Sequence, residues 1–153
     1  MSKALVIIKS MGIGDLCILI SNIHAISKKN NNPVTVLAQK NTRAKAILKN
    51  DRHVDEVIEL NEKEIRGFFN IIQKIKLRHF DQSYIFSDSI RFYLISKLSG
   101  IKKNFHYPFF SKRGKNFFKT AKEFTEKILH TEIDPQSKIF CDNKDIEKIK
   151  KKF

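Results

Sequence analysis

Cysteine is scarce in this sequence of 153 residues, and the two cysteines, Cys17 and Cys141, lie far apart. Their spacing matches neither a metal site nor a redox motif, and it does not suggest a disulfide framework. The five histidines are scattered along the chain and do not indicate a set of metal ligands. This cysteine usage fits a reducing compartment, so we expect a cytoplasmic protein.

Long apolar runs are also missing. The first apolar run, Ala4–Ile8, is too short for the hydrophobic segment of a signal peptide, and a loop follows it. No run approaches the roughly 20 residues that a membrane-spanning helix needs. We therefore expect any membrane contact to be peripheral, at the inner face of the cytoplasmic membrane.

Acidic residues are few relative to basic ones. The chain has 30 Lys and Arg residues against 16 Asp and Glu residues, which gives a formal net charge of +14. One explanation is the lysine-rich composition that an AT-rich genome produces. The other is attraction to a polyanion, such as nucleic acid, anionic lipid or a phosphorylated glycolipid. Because no recognisable nucleic-acid motif is present, nucleic acid is the partner that the sequence favours least.

The chain is organised around residues 4–28, which predict a strand, a turn with two glycines and a helix. Ala4–Ile8 is apolar without alternation, which is typical of a strand buried on both faces of a parallel sheet. From Asp15 onward, apolar residues recur at helical spacing. They are Leu16, Leu19, Ile20, Ile23 and Ile26. The turn therefore lies where ligands bind in open α/β sheets.

The residues of this turn suit an anion or an acceptor oxygen. Gly12 and Gly14 permit positive φ and a close approach of the backbone to a ligand. The amides at the helix start favour negative charge, and Ser10 can form a hydrogen bond there. Asp15 has two interpretations: a first-turn carboxylate that the helix dipole favours, or a functional acid. The turn is neither a dinucleotide fingerprint, since Cys17 stands where the third glycine belongs, nor a P-loop.

The remaining sequence alternates between strand and helix patterns. Strands are predicted at residues 34–38, 57–60, 83–86 and 102–107, and helices at 42–49, 62–77, 90–98, 117–129 and 142–152. Asn61 and Glu64 form a capping-box pattern before the third helix. Asp88 is expected to be the N-cap of the fourth, with a second cleft carboxylate as the alternative. The pattern predicts an α/β fold with a Rossmann-like, doubly wound parallel sheet.

Two further features carry open alternatives. His106 is either a titratable group near the ligand edge or a structural histidine in a strand. The loop at 108–116 mixes phenylalanines with basic residues. It either contacts a membrane surface or a nucleic-acid strand, or packs its phenylalanines into adjacent structure.

The segment KSMGIGDL at residues 9–16, following a first strand, resembles the amino terminus of glycosyltransferase family 9, the ADP-heptose:lipopolysaccharide heptosyltransferases. That family opens with a strand, a basic residue, small residues and Gly-Asp before a helix. The resemblance continues through residues 54–58, Phe80-Asp81 and residues 91–103 in matching order and spacing. It covers most of the chain.

The resemblance assigns roles to individual residues. Asp15 would be the general base, and Ser10 with the turn residues Met11, Gly12, Ile13 and Gly14 would position the acceptor. Lys63 and Arg66 would engage an anionic acceptor, and Ser89 and Arg91 match the family's segment after the fourth strand. The chain departs from the family at Ser87-Asp88, where Gln-Gly is usual, and at His106, where a glycine is usual.

The resemblance also implies a fold and a reaction. The fold is the amino-terminal domain of a GT-B glycosyltransferase, in which two Rossmann-like halves face each other across a cleft. Residues 1–130 would be the acceptor-side domain, and residues 131–153 a linker and terminal helix leading toward a donor-binding domain that this sequence lacks. The sequence would then be a truncated gene, a split gene or a partial reading frame.

The expected reaction is inverting and metal-independent transfer of a sugar to a lipopolysaccharide inner-core or similar anionic glycolipid. The substrate would be a nucleotide sugar such as ADP-heptose, bound by the other half, and no cofactor is expected. Two alternatives stay open. One is a non-catalytic domain or remnant that binds an anionic glycolipid, and the other is a basic nucleotide- or nucleic-acid-binding α/β domain.

Overall fold

A computed structural model describes residues 2–9, 12–107, 116–142 and residue 147. Five strands form one all-parallel sheet: β1 (Ala4–Ile8), β2 (Val34–Gln39), β3 (Val54–Leu60), β4 (Gln82–Phe86) and β5 (Lys103–His106). Their order across the sheet is β3-β2-β1-β4-β5. The first strand therefore lies at the centre of the sheet. Strands β2 and β3 extend the sheet on one side of β1, and β4 and β5 extend it on the other. This is the Rossmann-like, doubly wound topology that the sequence predicts.

Within the described ranges 2–9, 12–107 and 116–142, six helices connect or cover the strands. They are α1 (Ile13–Asn30), α2 (Ala44–Ile47), α3 (Glu62–Arg66), α4 (Phe68–Lys76), α5 (Ile90–Leu98) and α6 (Phe117–Leu129), with a 3-10 turn at Lys40–Thr42. In the part of the chain that the structure describes, no helix combines the length and apolar character that crossing a membrane requires. The loop at 108–115 and most of the helix predicted at 142–152 lie outside the described residues.

Both faces of the central strand are buried, as its unbroken apolar sequence predicts. Val6 and Ile8 face α1 and α6, together with Val36 and Phe86 of the neighbouring strands. Leu5 and Ile7 belong to a second core under α4 and α5. Because successive strand residues point to opposite faces, β1 contributes to both cores at once.

Helix α1 buries the apolar face that its spacing predicts, and Leu16, Leu19, Ile20, Ile23 and Ile26 are all completely buried. The helix ends at Asn31, which adopts the left-handed conformation at φ 48°. Asparagine tolerates this conformation better than most residues, and its N–H donates to the carbonyl of Lys28 at 3.2 Å.

The single helix predicted at 62–77 is wrong, because the chain breaks at Gly67 into α3 and α4. Gly67 has φ −78° and ψ 80°, which is outside the helical region. The break turns α4 so that Ile71 and Ile75 are buried, whereas Phe69 is 77% exposed. The capping box is confirmed: Glu64 N–H donates to Asn61 Oδ1 at 2.8 Å, and Asn61 N–H donates to Glu64 Oε2 at 2.9 Å.

Residues 131–142 carry no helix or strand and return across α1. Ile133 is buried, and its N–H donates to Glu126 Oε1 at 2.9 Å. Ser137 Oγ donates to the carbonyl of Cys17 at 2.7 Å. We call residues 131–142 the return segment. The return segment covers part of α1 through Ser137 and Phe140.

Candidate functional site

The carboxyl ends of the strands form one edge of the molecule, since all five strands run parallel. Ile8 of β1 pairs with Ala38 of β2 and with Phe86 of β4, so the segments that follow these strands emerge side by side. On the same edge, α3 follows β3. Neighbouring strands lie about 4.8 Å apart, so this edge brings together segments within roughly 20 Å across the sheet.

The turn after β1 leads directly into α1. Gly12 is the N-cap of α1 and has extended backbone at φ −169° and ψ −179°, and Gly14 lies inside the first turn. Neither glycine therefore adopts the positive φ that a glycine permits. A Cβ at either position would meet no heavy atom within 4 Å beyond its own turn. These glycines therefore leave open space beside the backbone, which suits the expected close approach of a ligand.

Asp15 is the third residue of α1 and is half-buried. The α1 dipole places positive charge at this end of the helix, which stabilises a carboxylate in the first turn. Ile13, the first residue of α1, is 43% exposed beside it. Ser10 and Met11, the other residues assigned to the acceptor, lie outside the described residues.

The segment after β4 lies next to this turn. Ser89, not Asp88, is the N-cap of α5, so the N-cap expected at Asp88 is wrong. The N–H of Ser89 donates to Ser87 Oγ at 3.1 Å, and this bond shapes the turn that places Asp88 outward and exposed. Arg91, the second residue of α5, is half-buried. Ser89 and Arg91 thus lie at the strand end adjacent to that of Asp15.

His106 ends β5 on the same edge. Its ring packs edge-on against Tyr93 of α5 with the centroids 5.7 Å apart. Burial lowers the pKa of His106, whereas polar backbone groups of Ser89 and Tyr107 and the carboxylate of Asp88 act in the opposite direction. The ring is therefore packed between α5 and the turn at Ser89, which agrees with the structural interpretation of this histidine.

Lys63 and Arg66 lie on α3, which follows β3. Strand β3 is two strands away from β1, on the side of the sheet opposite β4. Both side chains are exposed. The capping box and the contact of Lys74 with Glu64 hold α3 to α4, so the two cations project from a fixed helix. The edge therefore presents a carboxylate near its centre and exposed cations toward the β3 side.

One feature of the structure is not predicted from the sequence. It is a cavity beside His24 and His53, at the edge of the sheet opposite Asp15. The loop at 50–53 is only a polar loop by its sequence. Within the described ranges, no three side chains of His, Cys, Asp or Glu come together as possible ligands of a metal ion.

The described residues thus define an α/β domain of Rossmann-like type, of the kind that builds GT-B glycosyltransferases. No family model matches the sequence. No curated protein matches it significantly either.

Solved structures do match. A glycosyl transferase of family 9 from Veillonella parvula aligns with 92% of this chain at a TM-score of 0.71 and 13% identity. The Escherichia coli ADP-heptose lipopolysaccharide heptosyltransferase II aligns with 68% of it at 0.53 and 20% identity. An E. coli heptosyltransferase solved with ADP aligns with 81% of it at 0.56 and 10% identity.

These similarities establish that the chain has the fold found in glycosyltransferase family 9 and heptosyltransferase structures. The chain spans less than half the length of each, namely 46%, 30% and 47%.

Proposed function

We propose that this chain is the acceptor-side domain of a glycosyltransferase of the heptosyltransferase kind. The observation that carries the proposal is the position of Asp15. It stands in the first turn of α1 at the carboxyl edge of the sheet, next to the segment that holds Ser89 and Arg91. That edge is where ligands bind in open α/β sheets, and the fold is shared with heptosyltransferase structures.

In the proposed reaction, Asp15 acts as general base. Its carboxylate takes the proton of an acceptor hydroxyl while that oxygen attacks the anomeric carbon of the donor sugar. The bond from this carbon to the nucleoside diphosphate breaks, and the diphosphate leaves with the electron pair. Attack opposite to the leaving group inverts the anomeric centre. We propose that the reaction uses no metal, and that a donor-binding domain supplies the nucleotide sugar, such as ADP-heptose.

The proposed acceptor is a lipopolysaccharide inner core or a similar anionic glycolipid. The exposed Lys63 and Arg66 on α3 and the net charge of +14 favour a phosphorylated or carboxylated sugar. The open space at Gly12 and Gly14 allows the sugar to approach the backbone of the turn. Such an acceptor would place the protein in the cytoplasm, in peripheral contact with the inner face of the cytoplasmic membrane.

The first test is acceptor binding by the chain, measured by calorimetry with a lipopolysaccharide inner-core oligosaccharide. Replacing Lys63 and Arg66 together by glutamine should weaken binding about tenfold and reduce its salt dependence. The matched control replaces Lys119 and Lys127, two exposed lysines of α6, and removes the same charge. Equal loss in both double variants would show diffuse attraction and disprove the assigned acceptor contacts.

The second test is transfer, with the chain joined to the donor half of a heptosyltransferase. Asp15→Asn should abolish release of the nucleoside diphosphate while the variant still folds and binds the oligosaccharide. Transfer that persists in Asp15→Asn would disprove the assignment of the base. If the wild-type chain binds the oligosaccharide but supports no transfer with any donor domain, it is a glycolipid-binding module instead.

A further inference from the structure

A cavity of about 350 Å³ lies at the edge of the sheet opposite Asp15. Its walls come from the carboxyl-terminal half of α1, the loop before β3, the end of α6 and the return segment. Along α1, Lys28 lies about 20 Å from Asp15, given a rise of about 1.5 Å per residue. The cavity is therefore separate from the candidate acceptor site, and its volume is within the usual range for small-molecule sites.

Two histidines, His24 and His53, form part of the cavity wall. His24 Nε2 donates to Asp51 Oδ2 at 2.7 Å, and both side chains are almost completely buried. The ring centroid of His53 lies 4.5 Å from that of His24, and its Nδ1 lies 3.1 Å from Ser27 Oγ. The backbone N–H of His53 also donates to Asp51 Oδ1 at 2.9 Å. The imidazole of His53 is therefore held in a defined position in the cavity wall.

The lining of the cavity carries an excess of positive charge. Lys28, Lys29, Arg52 and Lys138 line it, against two carboxylates, Glu132 and Asp134. The Arg52 guanidinium lies 5.7 Å from the ring centroid of Phe140, a cation–π contact that holds it against the return segment. The Phe140 ring also lies 5.9 Å from that of His24. The return segment thus closes one side of a positively charged pocket.

We propose that this cavity binds a small phosphate-bearing molecule, either free phosphate or a phosphate ester, through Arg52, Lys28 and His53. Phosphate oxygens accept hydrogen bonds from guanidinium, ammonium and imidazole N–H groups, and such charged bonds are the strong ones. Ser27 engages Nδ1 of His53, so the phosphate would accept from Nε2. This site is independent of the proposed glycosyl transfer and would be present whether or not that proposal holds.

The electrostatics of His53 provide a specific signature. Burial lowers the pKa of His53, and the charges of His24, Arg52 and Lys28 lower it further, whereas Asp51 acts to raise it. The return segment adds charges of both signs to the same cavity, namely Glu132, Asp134 and Lys138. A bound phosphate adds negative charge beside the ring, so it should raise the pKa of His53. A phosphate that binds elsewhere would leave it unchanged.

Calorimetry on the full chain tests binding, with inorganic phosphate, AMP and adenosine as probes in phosphate-free buffer. Phosphate and AMP should bind, and adenosine should not. Tighter binding of phosphate than of AMP would identify free phosphate as the preferred ligand, and the reverse would identify a phosphate ester. Lys28→Gln should weaken binding about three- to tenfold. Lys97→Gln is the matched control, because Lys97 is an exposed lysine in the last turn of α5, as Lys28 is in α1.

Nuclear magnetic resonance tests the position without any variant. Inorganic phosphate should raise the pKa of the His53 ring, whereas the ring signals of the exposed His130 should not respond to it. Equal weakening by Lys28→Gln and Lys97→Gln would show diffuse attraction to a chain of net charge +14 and would overturn the proposal. Absence of phosphate and AMP binding, or an unchanged His53 titration, would overturn it as well.

Discussion

His24 and Asp51 form a buried, charge-assisted pair that joins the middle of α1 to the loop before β3. Their atoms Nε2 and Oδ2 are 2.7 Å apart, and the two side chains are 10% and 2% exposed. Asp51 also accepts the backbone N–H of His53. Burial acts to raise the pKa of Asp51, but the hydrogen bonds from His24 and His53 and the nearby imidazoles outweigh it and lower the pKa. The Asp51 carboxylate therefore links α1 to the loop before β3.

Asp51→Asn should lower the free energy of unfolding by roughly 2 to 4 kcal/mol. The amide keeps a similar shape and can still accept from His53, but His24 loses its charged partner while it stays buried. Urea unfolding followed by circular dichroism measures the change. The control is Asp55→Asn, since Asp55 is exposed and accepts a hydrogen bond from Thr35 Oγ1 at 2.9 Å. A loss at Asp51 no larger than at Asp55 would contradict the role of the buried pair.

The fold should also lose stability as the pH falls from 8 to 5. Burial lowers the pKa of His53 and of His106 below the usual 6.5, so the folded state favours their neutral forms. The unfolded chain binds more protons in this range, so the stabilisation is complete above pH 6.5 and is lost below it. The Tm, measured in phosphate-free buffer, should therefore fall with decreasing pH.

The variants His53→Gln and His106→Gln should each flatten this dependence of Tm on pH. His130→Gln is the control, because His130 is exposed beyond the end of α6. An equally steep curve in the double variant His53→Gln, His106→Gln would show that other groups carry the pH dependence.

The sequence predicts those parts of the fold that depend on local pattern. The unbroken apolar run of β1, the spacing of α1 and the Asn61–Glu64 capping box are each encoded within a few residues, and all three are confirmed. The break at Gly67 is also local, but one glycine inside a helical pattern is often tolerated, so the pattern favours a continuous helix. The alternation of strands and helices along the sequence predicts a parallel sheet. The order of the strands in that sheet follows from packing across the whole sheet.

The cavity beside His53 is not predictable in this way. It needs His24 from α1, Asp51 from a loop and Phe140 from the return segment, residues that become neighbours only when the chain folds back over α1. The candidate acceptor edge was predictable because strand ends in a parallel sheet share one edge. Its individual contacts were not, since the N-cap at Ser89 depends on the hydrogen bond to Ser87.

Gly14→Ala separates the structural role of the turn from its proposed role in acceptor binding. The added methyl group would meet no heavy atom within 4 Å beyond its own turn, and the backbone there is helical. Alanine should therefore leave the free energy of unfolding unchanged or raise it by up to about 1 kcal/mol. If the acceptor sugar lies against this backbone, the same methyl group should weaken oligosaccharide binding by about tenfold.

Urea unfolding and calorimetry with the inner-core oligosaccharide measure the two effects on one variant. Gln73→Ala is the control, because Gln73 is exposed on α4 and its change also increases helix propensity. Intact stability together with wild-type binding in Gly14→Ala would show that the acceptor does not approach this turn. A loss of stability would instead contradict the helical conformation at Gly14, because alanine stabilises a helical position relative to glycine and lowers stability where its Cβ strains the backbone.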